Sequence, residues 1–292
     1  MPRHSSSPVI VHPLDSHQAL PAAVSSAPVE GRGGIKGAAT GQDAVAEEVP
    51  VAMVYNGVSH AVMMASPSDL EDFALGFSLS EGILDRAEQL FDLDIQVTGD
   101  GVSVEMRIAG DRFTRLREQR RNLTGRTGCG LCGTESLAHA VRPIPSVPPW
   151  PVPVDAVVQA ALAQLKEHQA LQAQTGATHG AAWCDATGRI LQAREDVGRH
   201  NALDKLIGAR MRRYGADAFD DGFVLISSRA SFEMVQKSAC VGISCLVAVS
   251  AATALAIREA RTANMTLIGF ARPGRHVIYN RGDAPACEET SE

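Results

Sequence analysis

The feature that most constrains the fold is an alternation of short apolar strands with helices in the second half of the chain. The hydrophobic pattern predicts strands at residues 223–227, 243–249 and 266–270. Helices are predicted at residues 155–173, 200–213 and 231–239, and from residue 251 onward with Ser250 as the N-cap. Such alternation implies crossover connections between parallel strands, while a turn at residues 185–188 predicts one hairpin. We therefore predict an α/β core over residues 154–280 with a mixed, mostly parallel sheet.

The first half of the chain predicts a smaller α+β subdomain over residues 47–126. Asn56-Gly57 and Gly99-Asp100-Gly101 are turn sequences flanked by alternating apolar residues, which is typical of β-hairpins. A helix is predicted to begin within residues 66–69. Beyond the second hairpin, an arginine-rich stretch indicates either a solvated helix face or a landing site for a polyanion: Arg112, Arg115, Arg117, Arg120, Arg121 and Arg126.

The compositions of the two termini predict little order. Residues 1–46 contain no Phe, Trp or Tyr and are rich in Ser, Pro, Ala and Gly. Such a segment buries too little apolar surface to offset the entropy that ordering removes, so we expect a disordered tail. Residues 281–292 are expected to form a flexible C-terminal tail.

Charge and composition argue against several classes of function. The net charge of −6 gives no overall positive surface for nucleic acid or an anionic membrane. Residues 238–257 are uncharged, but they hold few large apolar side chains, so we interpret them as a buried strand and a helix rather than a membrane span. The N-terminal residues lack the pattern of a secretory signal. Six cysteines without such a signal predict reduced thiols and a cytoplasmic location.

A glycine-rich stretch at residues 124–133 carries two thiols, Cys129 and Cys132, in a C-x-x-C spacing. Its four glycines leave little side chain to pack, so we predict a mobile or tightly turned loop. This loop and a proline-rich bend together occupy residues 127–153. Thiols at this spacing can close a redox disulfide or supply half of a zinc site. They can also lower the pKa of one thiol, so that it is a nucleophilic thiolate near neutral pH.

Neighbouring residues disfavour two of these interpretations. A zinc site needs two further ligands, and neither a second C-x-x-C nor an H-x3-5-H follows. A thioredoxin-like motif usually follows a strand, whereas residues 119–126 are polar and arginine-rich. The same letters satisfy G-x-G-x-x-G, which we treat as an accident because no apolar strand precedes them. Of the other cysteines, Cys184, Cys240 and Cys245 are interpreted as buried apolar residues and Cys287 as an exposed tail thiol.

Polar residues cluster just after the predicted strands, at the edge where open α/β sheets bind ligands. Arg199, His200 and Asn201 lie where the second hairpin leads into the helix at 200–213, and Arg229 follows the strand at 223–227. The last strand is followed by Phe270, Ala271, Arg272, Pro273, Gly274 and Arg275. Arginines and helix N-termini at one edge suit the phosphates of a nucleotide. Ion pairs that merely fix the loops are an equally good explanation for any single residue.

Four of these segments together resemble the formate dehydrogenase accessory sulfurtransferase family, FdhD/NarQ. They are residues 128–133, 194–205, 228–237 and 266–272, within a match that covers residues 49–280 in order. The resemblance implies a cytidine-deaminase-like core and a homodimer. The zinc chemistry of the deaminases is not expected, because no histidine is followed two residues later by glutamate and Gly128 replaces the proline before the cysteines.

The resemblance also implies a function with defined partners. A sulfurtransferase of this family takes sulfur from a cysteine desulfurase and passes it to the molybdenum bis(pterin guanine dinucleotide) cofactor of formate dehydrogenase. That cofactor is a bound client, and no permanently bound metal is implied. Cys129 matches the persulfide-bearing cysteine, Cys132 its partner thiol, and residues 270–275 the segment that binds the guanine dinucleotide. Whether Cys132 releases the sulfur or only tunes Cys129 stays open, as do a thiol-disulfide oxidoreductase and a cofactor chaperone that moves no sulfur.

Overall fold

A computed structural model describes residues 10–12, 19–31, 39–124 and 143–282 of the chain. Its N-terminal part contains three strands: β1 (Ile10–Val11), β2 (Val24–Gly31) and β3 (Ala39–Ala46). β2 and β3 pair along their whole length as an antiparallel hairpin, and β1 pairs with a strand of the first large sheet. The expectation of a disordered tail is therefore wrong for these residues. Backbone ladder hydrogen bonds, rather than buried aromatic side chains, order them.

The first large sheet has five strands in the order β1-β6-β7-β4-β5. It contains two hairpins, β4 (Val49–Tyr55) with β5 (Val58–Ala65) and β6 (Leu90–Thr98) with β7 (Gly101–Ile108). Both confirm the hairpins predicted from the Asn-Gly and Gly-Asp-Gly turns. Helix α1 (Leu70–Ser80) covers the sheet, and helix α2 (Gly110–Thr124) follows β7.

The second sheet has six strands in the order β13-β12-β11-β10-β8-β9. In chain order they are β8 (His179–Asp185), β9 (Ile190–Asp196), β10 (Gly222–Ile226), β11 (Cys245–Ala248), β12 (Thr266–Arg272) and β13 (Arg275–Asn280). Its helices are α3 (Asp155–Leu165), α4 (Ala170–Thr175), α5 (Arg199–Tyr214), α6 (Phe232–Cys240) and α7 (Ala254–Thr262). Apolar cores lie on both faces of this sheet.

The sheet is mixed, but the prediction that it is mostly parallel is wrong. β10, β11 and β12 are parallel neighbours, whereas β8–β9, β8–β10 and β12–β13 are antiparallel pairs among the described strands. Two of the antiparallel pairs, β8–β9 and β12–β13, follow from short connections. A turn of a few residues joins β8 to β9, and Pro273-Gly274 joins β12 to β13. Links as short as these permit only antiparallel pairing, because parallel strands need a longer crossover connection.

Two predicted helices begin or end elsewhere. The helix expected at 155–173 breaks after α3, and α4 begins as a separate helix. The Glu195 carboxylate caps the start of α4, since it accepts hydrogen bonds from the backbone N–H groups of Leu171 and Gln172, both at 2.8 Å. The helix expected from residue 251 begins at Ala254, with Thr253 rather than Ser250 as the N-cap. Residues 250–252 instead continue the strand pairing beyond β11, since Ser250 O accepts the Phe270 N–H and Ala252 bridges to Ala230.

The two sheets are joined by a close crossing of α1 and α5. A Cβ atom at Gly76 would lie 1.7 Å from the backbone oxygen of Asp204, and one at Gly208 would lie 1.8 Å from that of Asp72. Glycine is therefore required at both positions if the helices are to approach this closely. No helix within the described ranges is long and apolar enough to cross a membrane.

Buried ion pairs surround this crossing. Lys237 Nζ lies 2.8 Å from Asp204 Oδ2 and 3.0 Å from Ser80 Oγ. Arg194 and Arg212 both pair with the Asp72 carboxylate, at 2.7 and 2.8 Å. Because removing one partner of such a pair leaves an uncompensated buried charge, these contacts fix how the two parts of the chain fit together.

Candidate functional site

The candidate site is the edge of the six-stranded sheet where the parallel strands β10, β11 and β12 end. Backbone hydrogen bonds link the three chain segments at this edge, because the Ser250 N–H donates to Ser228 O at 3.4 Å and the N–H of Phe270, near the end of β12, donates to Ser250 O at 2.9 Å. β8 runs antiparallel to β10, so β8 begins at the edge where β10 ends. β9 ends at the same edge, since its last residue, Asp196, pairs with His179 at the start of β8. The structure thus brings the segments around Arg199, Arg229 and Phe270 to one edge.

The loop from β9 into α5 is held by the Asp196 carboxylate, which is fully buried. One of its oxygens accepts from Gly198 N at 2.8 Å and from the Asn201 side chain at 3.0 Å. The other accepts from Ser66 N at 3.0 Å and lies 2.6 Å from Lys205 Nζ. Asp196 therefore fixes the loop between β9 and α5, and with it the position of Arg199 at the start of α5.

Two predicted site residues on α5 face inward. Asn201 is buried, and its amide nitrogen donates to Met64 O at 2.8 Å as well as to Asp196. His200 Nε2 lies 3.8 Å from Glu233 Oε2 on α6. Burial, reinforced by the Arg199 charge, lowers the pKa of His200 to about 4, so its imidazole is neutral at pH 7. Both residues shape the base of the site rather than its open surface.

Arg199 and Arg229 offer positive charge at this edge. None of the ion pairs among the described residues involves either side chain. Nε of Arg199 is buried without a hydrogen-bond partner in the described part of the chain, and Arg229 is exposed. A buried donor that lacks a partner is costly, so this guanidinium is suited to an external acceptor.

The predicted binding segment forms the β12–β13 hairpin at the same edge. Arg272 and Arg275 are exposed and flank the turn at Pro273-Gly274, whereas Ala271 is fully buried in the core. The segment therefore presents its arginines and Phe270 to the edge, and it does not present the Ala271 side chain.

Two clefts open beside these residues, and of their lining residues only Ala271, Arg272 and Pro273 were predicted from the sequence as part of a site. A cleft of about 300 Å³ between α3 and β12 is lined mainly by apolar residues and bordered by Lys166 and Arg272. A polar cleft of about 380 Å³ includes Gln169, His179 and Ser227. Burial and the Arg199 charge lower the pKa of His179, which pairs with Asp196 at the end of β9. His179 belongs to no motif in the sequence, and no spacing pattern indicated that it is part of a site.

The two motif cysteines, Cys129 and Cys132, lie outside the described residues, as does Arg126. Helix α2 leads toward them, and its Arg112 is buried, donating to Ile83 O at 2.8 Å and to Gly82 O at 2.9 Å. This arginine is part of the packing, whereas Arg115 and Arg117 are exposed. The interpretation of the stretch as a charged surface therefore fails for Arg112.

Of the three other cysteines in the described part of the chain, two are buried as expected and one is not. Cys184 and Cys245 are buried in the core as expected, and burial raises the pKa of both thiols. Cys240 is exposed, so the expectation that it is buried is wrong. It is the last residue of α6, where the helix reaches the surface before the turn into β11.

Comparison with known proteins identifies relatives over most of the chain. The model of the FdhD/NarQ family matches residues 46–284. A sulfur carrier protein FdhD from Cupriavidus necator is 57% identical over 242 residues, which cover 81% of this chain and 82% of that protein. The sulfur carrier protein FdhD of Bordetella petrii is 54% identical over 252 residues, 85% of this chain and 89% of the relative.

A solved structure shares the fold. The crystal structure of a Desulfotalea psychrophila protein, described as a formate dehydrogenase accessory protein, matches with a TM-score of 0.66 at 22% identity. The match covers 89% of this chain and 97% of that one. The likeness shows a common mixed α/β architecture, and the cytidine-deaminase-like character of the core stays a prediction.

Proposed function

The chain belongs to the FdhD/NarQ family, and from this premise we propose that it is a sulfur carrier in the maturation of formate dehydrogenase. The names of its relatives support a role in sulfur transfer, and the description of the solved neighbour names formate dehydrogenase. In this proposal the sulfur donor is a cysteine desulfurase and the acceptor is the molybdenum bis(pterin guanine dinucleotide) cofactor. The chain acts as a homodimer in the cytoplasm.

Cys129 carries the sulfur as a persulfide. Its thiolate attacks the terminal sulfur of the desulfurase cysteine persulfide, forming a new S–S bond while the donor's S–S bond breaks and the donor cysteine leaves as a thiolate. The exchange consumes no oxidant or reductant. Arg126, three residues away in sequence, favours the thiolate form of Cys129 by its charge.

Cys132 has two possible tasks that differ in their chemistry. If its thiolate attacks the Cys129 sulfur, hydrosulfide leaves toward the molybdenum and a Cys129–Cys132 disulfide forms, which a cellular dithiol must then reduce. If Cys132 only tunes the pKa of Cys129, no disulfide appears during turnover.

The observation that carries the cofactor assignment is the convergence of unpaired arginines on one sheet edge. Arg199, Arg229, Arg272 and Arg275 lie there, and none of them pairs with a carboxylate among the residues described. Guanidinium groups bind phosphate oxygens in bidentate fashion, so this donor set fits the diphosphate groups of the guanine dinucleotide client.

Substitution of Arg229 tests the assignment. We expect Arg229→Gln to weaken the binding of guanosine diphosphate, the nucleotide end of the cofactor, about tenfold, because one charge-assisted hydrogen bond is lost. Isothermal titration calorimetry on the full chain measures this affinity. Arg189→Gln is the matched control, since Arg189 is also exposed but lies in the β8–β9 turn at the opposite edge of the sheet. Equal losses in both variants, or none in Arg229→Gln, would show that the nucleotide does not bind at this edge.

A further inference from the structure

The β12–β13 hairpin places two like charges directly opposite each other. Arg272 pairs with Arg275 across the two-residue turn, so both side chains lie on the same face of the hairpin. Like charges in this position destabilise a hairpin. No acidic residue in the described part of the chain pairs with either arginine. The repulsion between the two side chains opposes the pairing of the hairpin, and an anion bound between them would relieve it.

Phe270 is the residue that both guanidinium groups share. The Cζ atoms of Arg272 and Arg275 each lie 5.8 Å from the centroid of its ring. A cation at this distance is attracted to the ring quadrupole. The ring therefore offsets part of the repulsion between the two arginines. Both flexible side chains also contact the same aromatic ring, which restricts where their guanidinium groups lie.

The backbone of Phe270 is strained in a way that serves this arrangement. Its φ angle is 49°, in the left-handed region that bulky side chains rarely adopt. The pairing of β12 with β13 shifts register between Gly269 and Arg272, and the Phe270 N–H is held by Ser250 O at 2.9 Å. Strained residues of this kind persist where the surrounding structure over-determines them, and they concentrate at ligand-binding sites.

Gln159 on α3 fixes the turn from the other side. Its amide nitrogen donates to Arg272 O at 3.1 Å, and its amide oxygen accepts from the Gly274 N–H at 2.9 Å. One side chain thus holds the backbone on both sides of Pro273, which fixes the turn that separates the two arginines.

We propose that Phe270 is a positioning residue that holds Arg272 and Arg275 as a pair for two adjacent phosphate groups. The pair makes this edge select a diphosphate over a monophosphate, since one phosphate can engage only part of the donor set. This inference rests on the proposed function for the identity of the client, and it adds the residue and the geometry that determine selectivity.

The test compares guanosine diphosphate and guanosine monophosphate on three full-length chains by isothermal titration calorimetry. We expect the wild type to bind the diphosphate at least about tenfold more tightly than the monophosphate. Phe270→Asn keeps a residue that tolerates the left-handed backbone but removes the ring. We expect it to lose about tenfold in diphosphate affinity while its monophosphate affinity changes less than about threefold. Phe270→Tyr keeps the ring and should retain the wild-type preference.

The outcomes separate this inference from the function on which it rests. If Phe270→Asn keeps the wild-type preference, or loses both nucleotides equally, Phe270 does not position the pair, while binding by the wild type still supports the client. If the wild type binds neither nucleotide, both the client assignment and this inference are wrong. A purely structural role for Phe270 would lower the melting temperature and leave the ratio of the two affinities unchanged.

Discussion

We expect a Cys129→Ala chain to leave formate dehydrogenase inactive when it replaces the wild-type chain in cells that lack their own copy. Only a thiolate can accept the sulfane sulfur, and alanine offers no atom that can form the new S–S bond. The loss should be roughly a thousandfold or more, the size typical of removing a nucleophile. Formate-dependent dye reduction in cell extracts, at matched amounts of the dehydrogenase, measures it.

Cys240→Ser is the control for this result. Cys240 is also exposed but lies at the end of α6 rather than in the C-x-x-C motif, so its substitution should leave the dehydrogenase active. Full activity with Cys129→Ala would show that the chain chaperones the cofactor without moving sulfur. A variant that fails only in reducing generic disulfides would instead identify a thiol-disulfide oxidoreductase.

The largest effect on stability is expected for Gly208→Ala. The new Cβ would lie 1.8 Å from the backbone oxygen of Asp72, so α1 and α5 would have to move apart. That movement disturbs the buried contacts of Asp72 with Arg194 and of Asp204 with Lys237. We expect a loss of about 3 kcal/mol or more in the free energy of unfolding, at the upper end of what overpacking causes.

Urea denaturation measures this loss as a lower midpoint at an unchanged slope. Gly110→Ala at the start of α2 is the matched control, because nothing lies within 4 Å of a Cβ at that position. It should unfold at the wild-type midpoint. An unchanged midpoint for Gly208→Ala would mean that the two helices do not cross as closely as described.

The hairpins and the sheet edge could be predicted because their signals are local. The Asn56-Gly57 turn fixes β4 and β5 through the left-handed conformations that these two residues tolerate. Polar residues that follow apolar strands are brought to one edge by any parallel pairing, so the grouping of Arg199 with Arg229 was accessible from the pattern alone. β13 was missed, because Pro273-Gly274 signals a turn without telling whether a strand follows.

The roles of individual charges could not be predicted, because their partners are far away in the sequence. Asp196 and Asn201 contact Ser66 and Met64, more than a hundred residues earlier, and no spacing rule links them. The sequence left ligand binding and loop fixation equally open for each single residue of the motif at residues 194–205. The structure shows loop fixation for Asp196 and Lys205, whereas Nε of Arg199 is buried without a hydrogen-bond partner among the described residues.

We propose that Cys129 is the residue that carries the sulfur atom, and mass spectrometry tests this most directly. The full chain is incubated with a cysteine desulfurase and free cysteine, and its peptides are separated without reductant. We expect the peptide that contains Cys129 to gain the mass of one sulfur atom, with fragmentation placing it on that residue. An unmodified peptide, or a sulfur atom carried on any other cysteine, would contradict the account.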